Sequence, residues 1–407
     1  MYRRKLGWKI NKKCIMLSFV QNFIYDIRKN FIFYFLAFCL ISSSLVIIPH
    51  GILFYMIGLF TIFVYAFKYK VISQNKKISP FFIFMIACLL SSVVCGLFDY
   101  RLFTFIITVW CCTPLMESRK IYDFREKYLK YALLMFPLIS VISLWCYYRG
   151  INYFQTEDIG QGLDFSGIFP HPLWLGAAVG LANVVLCWQI FETKNKLGKA
   201  ILLLLLILSL YVSVISASRS ALISSLVVIL LYLFLRTRKI KKTLCYLLIA
   251  AAIGFISYPF LSSRSQRIMY KNEQSEGKYG SRTGIWQEGF RHFENEPIFG
   301  SGFGTKYDGE EKKIGRLESG SGWLSVLFQT GIVGFVSLLF ILLKAKKNIK
   351  YILKNHSSHL YLLAFVFLCL HSLFEGYILT SGYYLCILFW MLLGYIYSYK
   401  KYRINYA

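Results

Sequence analysis

Arg219 stands at the end of an apolar run, in the stretch VISASRSALISS, with Ser216, Ser218 and Ser220 around it. A long side chain there can simply snorkel to the membrane surface. The neighbours suggest more. If a helix begins near Ser220, its first backbone N–H groups have no intrahelical partner. Serine hydroxyls, free helix-end amides and a guanidinium together make an anion site. Arginine suits phosphate because its fork is planar and bidentate.

A second set of groups lies in Ser262–Ser319, the one long polar segment of the chain. It is nearly neutral, with 10 Lys and Arg against 9 Asp and Glu. Within GSRTGIWQEGFRHFENEPIFGSGFG, residues 282–293 predict an amphipathic helix with Trp286, Phe290 and Phe293 on one face. Arg282 and Arg291 fall on neighbouring faces. They are either solvated or presented to an anionic substrate. Pro297 stops the helix, and Gly300, Gly302 and Gly304 let the backbone turn sharply or approach a ligand. GSGFG is neither a Rossmann fingerprint nor a Walker loop. Lys306, Lys312, Lys313 and Glu310–Glu311 read as a solvated charge run.

Three further titratable groups stand near span ends. His371 and Glu375, in LCLHSLFEGYIL, are spaced to share a helix face near the end of an apolar span. Ionisable groups at that depth are functional candidates by default, and a mutually satisfied structural pair is the plain alternative. His171, between Pro170 and Pro172, either shapes a turn or faces a ligand.

The elements that must position these groups are membrane helices. The chain is 57% hydrophobic and 18% aromatic, and apolar runs of spanning length recur along it. The expected fold is all-α, a polytopic membrane protein of about 12 transmembrane helices: 31–48, 51–67, 80–97, 102–116, 129–148, 173–191, 199–216, 220–235, 243–261, 321–343, 358–374 and 379–398. A basic N-terminus (1–30) precedes a first bundle (31–261) with an outer loop at 149–171. The large outer loop (262–319), with short helices, then leads to a second bundle (320–398) and a tail (399–407). With the N-terminus inside, 33 Lys and Arg fall on inner segments, against three in the short outer connections and 10 in the long loop. That asymmetry places both termini in the cytoplasm and 262–319 outside. It also accounts for the net charge of +27, and no basic soluble domain points to nucleic acid. Of the 11 cysteines, Cys14 is near the N-terminus and the rest are in or beside apolar runs. No Cys/His spacing suggests a metal, so neither metal nor cofactor is expected.

SASRSA, then RTGIWQEGFRHFENEPIFGSGFG, then GWLSVLFQTGIVGF, in this order, resembles the O-antigen polymerase/O-antigen ligase superfamily (Wzy and WaaL type) over about residues 165–395. The resemblance implies a metal-independent glycosyltransferase at the outer face of the cytoplasmic membrane. Its donor and acceptor would be glycans linked to undecaprenyl pyrophosphate. The family's pyrophosphate-binding arginines match Arg219 and Arg282. Ligases of the family carry a His-Asn pair where this chain has Gly320 and Ser321. Its absence favours a polymerase, with Glu318 the nearest candidate base.

On that reading Arg219, Arg282 and Arg291, with Ser218 and Ser220, stabilise charge on the leaving pyrophosphate. Glu318, Glu375 or His371 takes the acceptor proton. Trp286, with Tyr279 and Tyr307, stacks on sugars, and His171 lines the mouth. A flippase and a chain-length regulator are the expected protein partners. The runner-up readings are a glycan ligase and, from another class, a lipid-linked oligosaccharide flippase. A flippase would carry charges inside several spans and repeat-related halves, and neither is visible here.

Overall fold

A chain segment crossing lipid must close its own backbone hydrogen bonds, and the apolar runs do so as helices. In the computed structural model, residues 25–69, 79–96, 98–154, 165–237, 282–308, 311–314 and 320–404 are described. Helix α1 covers 25–42. It is followed by α2 (Gly51–Lys68), α3 (Pro80–Cys95) and α4 (Tyr100–Cys112). Next come α5 (Arg119–Tyr148), α6 (Pro172–Glu192), α7 (Lys196–Ile215) and α8 (Arg219–Thr237). After helix α9 (Arg282–Asn295) and a hairpin of β1 (Thr305–Asp308) and β2 (Glu311–Ile314), α10 (Gly322–Ile352), α11 (His359–His371) and α12 (Tyr384–Arg403) follow. Thr305 pairs with Ile314, and Asp308 with Glu311.

Local chemistry sets the helix ends. Asp99, Ser118, Asn195 and Ser321 cap α4, α5, α7 and α10 with side-chain oxygens. Pro80 opens α3, and Gly96, at φ 69°, closes it. Six of the described helices are long and apolar enough to cross a membrane: α2, α5, α6, α7, α8 and α10. α3, α4 and His356–His371 are apolar but shorter. The expected span at 243–261 lies outside the described residues.

Several expected boundaries move. The first helix runs 25–42 rather than 31–48, because 43–48 turns ahead of Pro49. The last begins at Tyr384 rather than 379, because Thr380–Gly382 forms a turn in which Gly382 has φ 89°. The segment between α8 and α10 holds a strand pair as well as a helix, so among the described residues the fold is helical apart from this hairpin.

α6 and α12 are the central posts. The apolar window of α6 is 72% buried, against 28% for α2, α7 and α8. α6 packs on α5, α7, α8 and α11, while α12 packs on α4, α5, α10 and α11. Gly176 and Gly180, one turn apart on α6, let it meet Ser218 of the α7–α8 turn and Phe367 of α11. The two ends of the bundle differ in chemistry. At one end, Lys401 pairs with Glu117 at 2.7 Å, Arg403 with Glu126, and Arg236 with Glu192 at 3.7 Å. The other end holds the α7–α8 turn, the mouth of α6, the 372–383 loop and the loop carrying α9.

Candidate functional site

The turn from α7 into α8 is very tight. Ser216 caps α7 and donates its hydroxyl to the Ser213 carbonyl at 2.9 Å. Ala217 then adopts φ 51°, a left-handed conformation that costs a side-chain-bearing residue about 1–2 kcal/mol. This strained residue reverses the chain so that α8 begins at Arg219. Ser218 is 1% exposed, and among the described residues its hydroxyl has no hydrogen-bond partner. Arg219 and Ser220 are half-buried. Leu222 N–H bonds back to the Ser218 carbonyl, so the amides before it form the open first turn of α8. Ser218, Arg219 and the start of α8 are adjacent, Ser218 meets α6 at Gly176, and the Ser216 hydroxyl is committed to the Ser213 carbonyl.

α6 brings a histidine and a tryptophan to the same place. His171 is its N-cap, and Nδ1 accepts the Leu173 N–H at 3.2 Å. In the neutral ring this places the proton on Nε2. Phe154 packs edge-on against it, with centroids 5.0 Å apart. One turn on, the Trp174 ring lies 4.4 Å from Tyr383, and its carbonyl accepts the Tyr384 hydroxyl at 3.1 Å.

Tyr383 belongs to the loop that carries the other candidates. His371 is the last residue of α11 and stacks between Phe367 (5.5 Å) and Tyr377 (5.7 Å). Glu375 does not share a helix face with His371, as the spacing had suggested. α11 stops at His371, and Glu375 sits half-buried in the turn beyond it. Burial, then Cys369 and the Glu375 charge, pushes the Tyr377 phenol well above its ordinary range. Burial, Tyr384 and Glu375 do the same to Tyr383. Both hydroxyls therefore stay protonated beside the carboxylate. The start of α10 closes against this loop: Gly322 N–H donates to the Ser372 carbonyl at 2.7 Å, and a side chain at Gly322 would meet the Glu375 carbonyl. Gly320, at φ 58°, and Ser321 thus lie beside the His371–Glu375 turn.

The glycine block has a use that sequence reasoning missed. α10 breaks at Gly331, at φ 64° and ψ −168°, which would leave backbone groups unsatisfied in mid-helix. Segment 297–304 fills the break. Ser301 and Gly302 donate to the carbonyls of Phe328 (2.8 Å) and Gln329 (3.2 Å), while Ile332 and Val333 donate to Pro297 (2.9 Å) and Ile298 (3.3 Å). Gly304 N–H reaches Gln329 Oε1 at 2.9 Å, and the Ser91 hydroxyl donates to the Gln329 carbonyl. Gly300, Gly302 and Gly304 all have positive φ, at 73°, 101° and 71°. Their close approach is to α10, Cys95 and Asp99. The amides of 301, 302 and 304 are committed to α10, so this block is not a phosphate cradle. Gln329 in an otherwise apolar span was the available signal.

α9 rests on the same helix. Gly289 abuts the Phe328 ring, and Phe290 meets it edge-on at 5.1 Å. The buried positions on α9 are Gly289 and His292, flanked by half-buried Trp286 and Phe293. Phe290 stays 42% exposed, so the packed face is rotated from the one expected, because Gly289 admits Phe328. Arg282 begins α9, and Arg291 is exposed on it. Ser218 touches α6 at Gly176, His171 caps α6, and His371 is linked to α6 through Tyr377, Tyr383 and Trp174, whereas Arg291 lies on α9, which packs on α10. Glu318 and Tyr279 lie outside the described residues. Among the described residues no group of three or more His, Cys, Asp or Glu is placed to hold a metal ion.

A family model described as O-antigen ligase matches residues 204–339. The match takes in Arg219, Arg282, Trp286, the glycine block and the break at Gly331. It leaves His171, His371 and Glu375 outside. No curated protein matches the chain. The matched stretch, about a third of the chain, resembles the O-antigen ligase/polymerase superfamily and supports that likeness for residues 204–339.

Proposed function

We propose that the protein is a polysaccharide polymerase. It would cross the cytoplasmic membrane about twelve times, with both termini inside, and join glycan repeat units carried on undecaprenyl pyrophosphate at the outer face. The observation that carries this reading is the strained Ala217 turn. It sets the buried Ser218 hydroxyl, Arg219 and the open first turn of α8 against the mouth of α6. A pyrophosphate at the membrane surface is the ligand these groups fit. As the anomeric C–O bond breaks, Arg219 neutralises charge growing on the leaving pyrophosphate, and Arg282 does so from the start of α9. His171 Nε2–H donates to a substrate oxygen.

Glu375 is the base in this scheme. Its half-buried carboxylate takes the proton from the acceptor hydroxyl, while His371, 1% exposed, holds the turn beneath it. The absence of the ligase histidine at 320 supports a polymerase over a ligase. Trp286 and Trp174 offer partly exposed rings for sugar stacking. A flippase delivers the units and a chain-length regulator ends growth.

The test replaces the chromosomal copy with Arg219→Ala, Arg282→Ala or Glu375→Gln, with membrane levels checked. The expected result is lipid-linked single repeats on the outer face and no long chains. Long chains of normal length from all three variants would overturn the reading. Repeats trapped on the inner face would point to a flippase.

A further inference from the structure

The basic end of the bundle carries a lysine arrangement that the proposed reaction does not use. α12 finishes with Lys400, Lys401 and Arg403. Two of these are neutralised, Lys401 by Glu117 and Arg403 by Glu126. Lys400 turns the other way. Its ammonium lies 5.5 Å from the centre of the Tyr351 ring on α10, and the Lys350 ammonium lies 5.0 Å from the same ring. Among the described residues neither lysine has an acidic partner. The pairing of the two helices here is built: Asn348 Nδ2 donates to the Ile396 and Tyr397 carbonyls at 3.0 and 2.6 Å, which holds α10 against α12.

What lies above this pair of cations identifies the occupant. Ile332, Val336, Leu339, Phe340 and Leu343 are all exposed and repeat at helical spacing along α10. The same face continues into Lys347 and Lys350, both exposed. A lipid-facing apolar stripe thus leads directly to two unneutralised ammonium groups and a phenol. Its length suits an acyl chain, and its end suits a phosphate. We infer that Lys350, Tyr351 and Lys400 form a headgroup site for an acidic phospholipid whose chains lie along the α10 stripe. Lysine stems pack on apolar surface while their heads meet the lipid phosphate. A lysine near an anionic surface contributes about fivefold in affinity.

The test titrates the full-length chain in detergent with phosphatidylglycerol and with phosphatidylcholine, counting bound lipids by native mass spectrometry. The wild type is expected to hold phosphatidylglycerol at least tenfold more tightly. Lys350→Gln with Lys400→Gln should lose about fivefold for each lysine, at unchanged melting temperature. Lys350→Arg with Lys400→Arg should retain the preference, which guards against a folding defect in the glutamine pair. Lys199→Gln, on another helix, should change nothing. The site is overturned if the glutamine pair binds phosphatidylglycerol like the wild type, or if Lys199→Gln weakens it equally. Displacement of the lipid by an equal concentration of inorganic phosphate would also overturn it, since the site would then be one for free anions.

Discussion

At the scale of single residues, Ala217 is the point on which the site turns. A side chain at φ 51° is strained, and the strain persists because only this reversal brings Ser218 and Arg219 to the start of α8. Ala217→Gly should leave the melting temperature unchanged or raise it. Ala217→Val, which is β-branched, should lower stability by about 1–2 kcal/mol, read from thermal unfolding in detergent. His292 carries a pH dependence. Burial, then Arg291, pushes its imidazole below the ordinary 6.5. The folded state therefore binds fewer protons than the unfolded one as pH falls through that range. Stability should rise with pH up to about 6.5 and stay level above it. The drop in melting temperature between pH 7.5 and pH 5 should shrink in His292→Gln. An unchanged drop would place the sensitivity elsewhere. The helix start at Arg219 beside Ser218 was legible because helix-end chemistry is local. The relation of His371 to Glu375 was not, because i,i+4 spacing says nothing about where a helix stops. The Gly322 contact with the 375–378 turn adds a constraint from another helix.

At the scale of elements, the segment 297–304 is clamped rather than hinged. Its segment 297–304 supplies the backbone partners that α10 lacks at Gly331, so α9 inherits its position from a break in a membrane helix. Gln329→Leu removes the acceptor for Gly304 N–H. Hydrogen exchange at 301–304 should accelerate at least tenfold, a loss of about 1.4 kcal/mol of local stability, while the rest of α10 keeps its protection. Wild-type amides at 301–304 that exchange like an open loop would contradict the clamp. Gly300→Ala should lower stability by about 1–3 kcal/mol, since a methyl group there meets Gly331 N at 2.5 Å and Phe328 O at 2.6 Å. Helix α9 was legible from its periodicity and from Pro297. Its packed face was not, because a glycine, invisible to a hydrophobic pattern, makes the closest contact. The break in α10 was masked for the opposite reason: GWLSVLFQTGIVGF reads as one apolar span, and what satisfies its interruption lies 30 residues upstream.

At the scale of the whole molecule, the bundle separates two chemistries. One end collects Glu117, Glu126, Glu192 and their basic partners, and the other collects Arg219, His171, Glu375 and the clamped loop. The charge asymmetry of the sequence anticipates this division, because loop charge and apolar length are both properties of consecutive residues. Convergence of α6, α8, α10 and α11 at the second end is not such a property. It depends on Gly176 and Gly180 admitting neighbours that are distant in the chain. On the proposed function, this end binds a lipid-linked pyrophosphate. The most direct test measures binding of undecaprenyl pyrophosphate to the purified full-length protein and to Arg219→Ala and Arg219→Lys. Affinity should fall at least tenfold in Arg219→Ala and recover only partly in Arg219→Lys, because lysine keeps the charge but loses the bidentate fork. Equal affinity in all three proteins would contradict the claim and leave Arg219 a residue that merely anchors α8 at the membrane surface.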